Sequence, residues 1–111
     1  MLPKTKRLTT KSVDLVMEKG RMTHSPLFVI KSISTQETSR FSVSVPKKVA
    51  KTAVQRNKIR RQVYSAVKKI EPQVKSGLSG MIIVKAGSEK LSFEALTVEI
   101  KDIFVKSGFL K

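Results

Sequence analysis

Cysteine and tryptophan are absent from this 111-residue chain, and histidine and tyrosine each occur once. The absence of cysteine excludes disulfides and thiolate metal sites and suits a reducing compartment. The single histidine, His24, is interpreted as a loop residue, since the local sequence lacks the carboxylates that a zinc site would need. The clustered carboxylates of an independent nuclease are missing too. We therefore expect neither a catalytic residue nor a metal site in the chain.

Long hydrophobic runs are also lacking. No run approaches the roughly 20 apolar residues of a membrane span, and the basic N-terminus is not followed by the roughly 7–15 apolar residues of a signal peptide. We expect a soluble, cytoplasmic protein without a membrane partner. A chain of 111 residues can bury a modest core without the help of disulfides or metal ions. This length predicts a single domain over residues 1–111.

Acidic residues are scarce, and positive charge is abundant. The chain has 23 Lys and Arg against 8 Asp and Glu, a formal net charge of +15. Residues 86–111 are electrically balanced, so the excess lies before them, and no acidic residue occurs between Glu37 and Glu71. Solvated faces kept for solubility usually mix both signs. This segment therefore predicts a binding surface for a polyanion.

Hydrophobic periodicity and breaker residues predict an α+β or split βαβ domain. The order is helix, two or more strands, helix, strand, helix, without repeats or linkers. Pro46 and Pro72 limit the central helix because proline cannot continue a ladder or a helix. The predicted elements are a helix from Thr10 to Gly20, strands at Leu27–Ile33 and Arg40–Val45, a helix at Ala53–Ile70, a buried central strand at Met81–Val84 and a helix capped by Ser92.

The central helix has two faces on a helical wheel. One is apolar and consists of Ile59, Val63, Ala66, Val67 and Ile70. The opposite face presents Asn57, Arg61, Tyr64 and Lys68, with Arg60 and Lys58 beside it. Arginine suits such a surface because its planar guanidinium forms bidentate hydrogen bonds with phosphate oxygens and stacks on bases. Composition alone leaves RNA and DNA open, because both expose the same phosphates.

The run from Ser42 to Gln62 resembles the signature of the bacterial ribonuclease P protein. That family has a strand ending in Ser-Val-Ser, then Lys-Lys, Ala-Val, one residue, and Arg-Asn-Arg followed by paired basic residues. The spacing here matches without a gap, with Pro46 in the place of the second serine and Lys58 in the place of the last arginine. The resemblance extends to Arg7-Leu8-Thr9 and Gly20 before the run, and to Ile82–Ala86 and Leu91–Glu94 after it, and so covers nearly the whole chain.

The resemblance implies a small mixed sheet packed by three helices, with a left-handed βαβ crossover around the central helix, like the second domain of a small-subunit ribosomal protein. It implies a non-catalytic protein subunit of ribonuclease P that binds the catalytic RNA and the 5′ leader of precursor tRNA. Cleavage there gives the mature tRNA 5′ end. The RNA carries the chemistry with magnesium, which the RNA partner mainly binds.

The site residues follow from the same resemblance. The Arg-Asn-Arg motif falls on Arg56, Asn57 and Lys58, and the family's two phenylalanines of the first helix appear as Val13 and Met17. We expect RNA binding by Lys47, Lys48, Lys51, Arg56, Asn57, Lys58, Arg60, Arg61, Tyr64 and Lys68. The leader cleft, between the first helix and the sheet, is expected to be lined by Val13, Met17, Phe28, Ile30 and Ser44.

Two other functions share part of this pattern. A structural ribosomal protein or general RNA chaperone would have the same size, basicity and fold class, but would not affect cleavage of precursor tRNA. A double-stranded DNA binder would place its recognition helix in a helix-turn-helix pair. Here the central helix is flanked by predicted strands, so DNA is not an expected partner.

Overall fold

The computed structural model describes residues 20–34 and 39–110. They form a four-stranded sheet and two α-helices, with short 3-10 turns at Glu71–Gln73 and Ser88–Lys90. The elements are β1 (Arg21–His24), β2 (Phe28–Ser34), β3 (Arg40–Ser44), α1 (Ala53–Ile70), β4 (Leu78–Val84) and α2 (Phe93–Lys106). The predicted helix from Thr10 to Gly20 lies outside the described residues, apart from Gly20.

The central helix α1 has the predicted bounds, Ala53–Ile70. Thr52 caps its N-terminus, since the Thr52 Oγ1 atom accepts a hydrogen bond from Gln55 N at 3.2 Å and so satisfies one of the first-turn N–H groups. Lys68 and Lys69 occupy the last turn, where positive charge is favourable beside the helix C-terminus. Ser92 caps α2 in the same way, accepting from Ala95 N, which confirms that prediction.

The sheet has the order β1-β2-β4-β3. Strand β4 pairs antiparallel with β2 and parallel with β3, so the sheet is mixed and β4 is central, as the continuous apolar run predicted. Because α1 connects the parallel strands β3 and β4, the chain contains the expected βαβ unit and belongs to the α+β class. The left-handed sense of this crossover stays a prediction of the resemblance.

One face of the sheet packs against both helices. Alternate residues of the three longer strands join the core there, because successive side chains point to opposite faces. Phe41 contacts Phe104 of α2 and Phe109, with ring centroids 5.3 and 6.1 Å from its own. The core side chains of the strands and helices include Phe28, Ile30, Phe41, Val43, Ile82, Val84, Ile59, Val63, Val67, Leu96, Ile100 and Phe104.

Strand β1 was not predicted from the sequence. Its residues are mostly exposed, and it is held by antiparallel pairing with β2. His24 is therefore the exposed last residue of a strand, and its assignment to a loop was wrong. The segment after β4 holds the turn that follows β1, because the Lys85 ammonium donates to Ser25 O at 2.8 Å and the buried Ser88 hydroxyl donates to Leu27 O at 2.9 Å.

Candidate nucleic-acid interface

The loop between β3 and α1 is a packed platform for three lysines. Its apolar residues, Val45, Val49 and Ala50, are buried in the core, whereas the side chains of Lys47, Lys48 and Lys51 are exposed. A turn closes the loop, with Val49 N donating to Pro46 O at 3.0 Å. The apolar anchors explain why the lysine side chains are held at the surface as a group rather than on a free segment.

Arg56 attaches this loop to the helix. Its Nη1 atom donates to Ala50 O at 3.1 Å and to Lys51 O at 3.0 Å. Those two carbonyls precede the helix. Part of the guanidinium is therefore occupied within the protein, and Arg56 positions the lysine loop relative to α1 in addition to contributing its charge.

The solvent face of α1 carries most of the predicted RNA-binding side chains. The side chains of Asn57, Lys58, Arg61 and Lys68 are exposed, and that of Arg60 is half-buried. Arg60 Nη1 donates to Asn57 Oδ1, which orients both groups. We call the basic side chains of this loop and helix, together with Asn57, the cationic face. It consists of Lys47, Lys48, Lys51, Arg56, Asn57, Lys58, Arg60, Arg61 and Lys68.

Tyr64 does not share this face, so the prediction that places it there is wrong. The side chain is only 4% exposed and belongs to the core. Its hydroxyl accepts a hydrogen bond from Val43 N at 3.2 Å. Strand β3 is the last in the sheet order, and an edge strand has backbone N–H groups that need partners. The helical wheel missed this because a tyrosine at the border can reach under the helix with an apolar ring and a polar tip.

The predicted leader cleft is also corrected in part. Phe28 and Ile30 are 0% exposed and pack against the helices, so they cannot contact nucleic acid. Ser44 is half-buried and lies on the opposite, second face of the sheet, beside Ile83 in the register. On β2 the side chains of Val29 and Lys31 share this second face, because side chains alternate along a strand. Val29 is buried as well, whereas Lys31 is half-buried. Val13 and Met17 lie outside the described residues.

Sequence reasoning missed one exposed residue beside the cationic face. Val54, in the first turn of α1, is 77% exposed. With Asn57, Arg60 and Arg61 it lines an open concavity of about 490 Å³. The signal was present in the sequence, since Val54 falls at i−3 and i−7 from Asn57 and Arg61 and thus on their side of the helix.

No group of three or more His, Cys, Asp or Glu side chains that could hold a metal ion occurs within residues 20–34 and 39–110. In the same part of the chain no helix is both long and apolar enough to cross a membrane.

The fold and the cationic face together define a class. A small α+β protein that holds Lys and Arg on one loop and one helix, without acidic residues in that segment, is built to bind a polyanion.

Comparison with known proteins gives the particular family. The family model for ribonuclease P matches residues 2–108. The ribonuclease P protein component of Synechocystis is 31% identical, with 98% of this chain and 90% of that protein covered. The ribonuclease P protein component of Microcystis aeruginosa is 35% identical, with 65% of this chain and 60% of that protein covered. This match therefore spans less than two thirds of the Microcystis protein. The chain belongs to the ribonuclease P protein family, whose members are subunits of the tRNA-processing ribonucleoprotein.

Solved structures show the same fold. The RNase P protein of Staphylococcus aureus superposes with a TM-score of 0.85 at 17% identity, covering 96% of this chain and 98% of that one. The RNase P protein of Thermotoga maritima gives a TM-score of 0.81 at 18% identity, covering 90% and 96%.

Proposed function

We propose that the cationic face binds the catalytic RNA of ribonuclease P, and that the second face of the sheet contacts the 5′ leader of precursor tRNA. The protein thereby assists endonucleolytic removal of the leader in the cytoplasm. The observation that carries this proposal is the cationic face itself. It has nine polar and basic side chains on one loop and one helix, with no acidic residue from Thr38 to Ile70.

The RNA partner performs the hydrolysis in this proposal, and it holds most of the magnesium. Support comes from the described side chains, which offer positive charge and hydrogen-bond donors but no cluster of metal ligands. Lysine and arginine on the surface bring two polyanions together by neutralising phosphates and releasing their counterions. The protein's contribution is then to raise the affinity of the RNA for its substrate and to lower the magnesium concentration that the assembly requires.

Charge neutralisation has a measurable signature. Each phosphate contact contributes roughly 0.7–0.9 to the slope of log affinity against log salt concentration. Arg61→Ala removes one exposed cation of the cationic face, so we expect weaker binding to a bacterial ribonuclease P RNA and a slope smaller by roughly that amount. Binding is measured by filter retention from about 50 to 200 mM salt, a range over which such contacts change affinity strongly.

Lys101→Ala is the matched control, since Lys101 is an exposed cation on α2 outside the cationic face. We expect its affinity and slope to equal those of the wild type. An equal loss in both variants would mean that the protein binds RNA by overall charge, as a general chaperone does. Equal affinity of the wild type for ribonuclease P RNA and for an unrelated folded RNA of the same length would point the same way.

A further inference from the structure

An exposed apolar side chain that electrostatics does not explain lies beside the cationic face. Val54 is 77% exposed, the most exposed large apolar side chain in the described part of the chain. It contributes little to the core, and a β-branched residue is a modest helix former. A phosphate contact gains nothing from an isopropyl group, so binding to the RNA backbone alone gives this residue no role.

Val54 lies among three polar side chains of the same helix. With Asn57, Arg60 and Arg61 it lines a concavity that is open to solvent. The four side chains lie at i, i+3, i+6 and i+7 of one helix and so share one side. One apolar side chain and three polar side chains therefore face the same open space.

The polar groups around Val54 are oriented before any ligand arrives. Arg60 Nη1 donates to Asn57 Oδ1, which restrains the guanidinium plane and leaves the Asn57 amide nitrogen to act as a donor. Arg61 adds a second, exposed guanidinium. A guanidinium plane stacks on a nucleobase, and amide and guanidinium N–H groups donate to the acceptors on the base edge.

We propose that this concavity receives one unstacked nucleobase of the RNA partner. The isopropyl group of Val54 contacts the apolar face of the base, one guanidinium stacks on it or grips its edge, and Asn57 donates to an acceptor. This inference rests on the proposed function and adds to it a contact with a base, beyond the phosphates. It predicts that binding requires an unpaired nucleotide at one position of the RNA.

Val54→Thr tests the apolar contact. Threonine keeps the shape and branching of valine but replaces one methyl by a hydroxyl, so we expect affinity for a bacterial ribonuclease P RNA to fall roughly four- to tenfold. Because no charge changes, the salt slope should equal that of the wild type, in contrast to Arg61→Ala. Val98→Thr, at an exposed valine of α2, is the matched control and should bind like the wild type.

The outcomes separate the two proposals. If Val54→Thr binds as tightly as the wild type while Arg61→Ala loses affinity and slope, the cationic face binds RNA and the base site is wrong. If Val54→Thr changes the slope as well, the side chain acts through the phosphate contacts, and the base site is again wrong. If neither variant matters and binding is not specific for ribonuclease P RNA, the proposed function itself fails.

Because the chain has no cysteine, a single introduced cysteine can be labelled to test which part of the RNA occupies the concavity. Val54→Cys carrying an azidophenacyl group is crosslinked to ribonuclease P RNA, with Val98→Cys as the control. The proposal expects a crosslink at the base of one nucleotide that is not in a Watson–Crick pair. An abasic substitution at that nucleotide should then abolish the difference between wild type and Val54→Thr. Crosslinks spread along paired RNA, or equal to those of the control, would overturn the proposal.

Discussion

The hydroxyl of Tyr64 supports the edge of the sheet, and its removal should affect stability without affecting RNA binding. Tyr64→Phe keeps the buried ring but leaves Val43 N, which now donates to the hydroxyl at 3.2 Å, without this partner. Both residues are at least nine-tenths buried. An unsatisfied buried N–H costs about 1–3 kcal/mol. For a domain of this size that lowers the melting temperature by roughly 4 °C per kcal/mol, or roughly 4–12 °C.

The assay is urea and thermal unfolding of both proteins, together with their affinity for ribonuclease P RNA at one salt concentration. Ser65→Ala is the control, since it removes a hydroxyl from a half-buried position of the same helix. We expect it to change stability by less than about 0.5 kcal/mol. The reasoning is refuted if Tyr64→Phe unfolds like the wild type but binds the RNA about tenfold more weakly, a change of about 1.4 kcal/mol. Such a result would mean that the Tyr64 hydroxyl contacts the RNA.

Two further variants test the packing around β4. In Gly80→Ala the new Cβ would lie 3.0 Å from Phe41 Cδ1 and Cε1, so the ring must shift within its aromatic cluster. We expect the free energy of unfolding, measured in urea, to fall by about 1–3 kcal/mol. Unchanged stability would mean that the cluster adapts freely. Ser88→Ala removes a buried hydroxyl that donates hydrogen bonds to Leu27 O and Lys85 O. We expect the free energy of unfolding to fall by about 1–3 kcal/mol and the RNA affinity to stay constant. An RNA-binding defect at full stability would contradict this structural role.

Sequence patterns were most informative where a local signal repeats or is marked at both ends. Helix α1 begins and ends as predicted because its heptad-like apolar face, the Thr52 cap and Pro72 all act within the helix or next to it. Strand β1 carries no such signal. Its residues, Arg21 to His24, are mostly exposed, and the strand exists through its pairing with β2, which depends on a partner elsewhere in the chain.

The errors at the site have a common physical cause. In Phe28-Val29-Ile30 all three residues are buried, so the sequence gives no alternation from which to choose the face, and a shift of one residue exchanges the core for the surface. Tyr64 was misplaced because an angle on a helical wheel ignores the reach of a long side chain. Hydrophobicity alone does not identify Val54 as a surface residue, because many apolar side chains remain at the surface of folded proteins.

The central claim, that this chain is a working ribonuclease P subunit, is tested most directly by cleavage of a precursor tRNA at low magnesium. A bacterial ribonuclease P RNA is assayed with and without the protein, and with the Arg61→Ala variant. The account predicts faster cleavage at the mature 5′ end with the protein, and less stimulation by Arg61→Ala than by Lys101→Ala. RNA binding without any stimulation of cleavage, by this RNA or by one from a cyanobacterium, would contradict it.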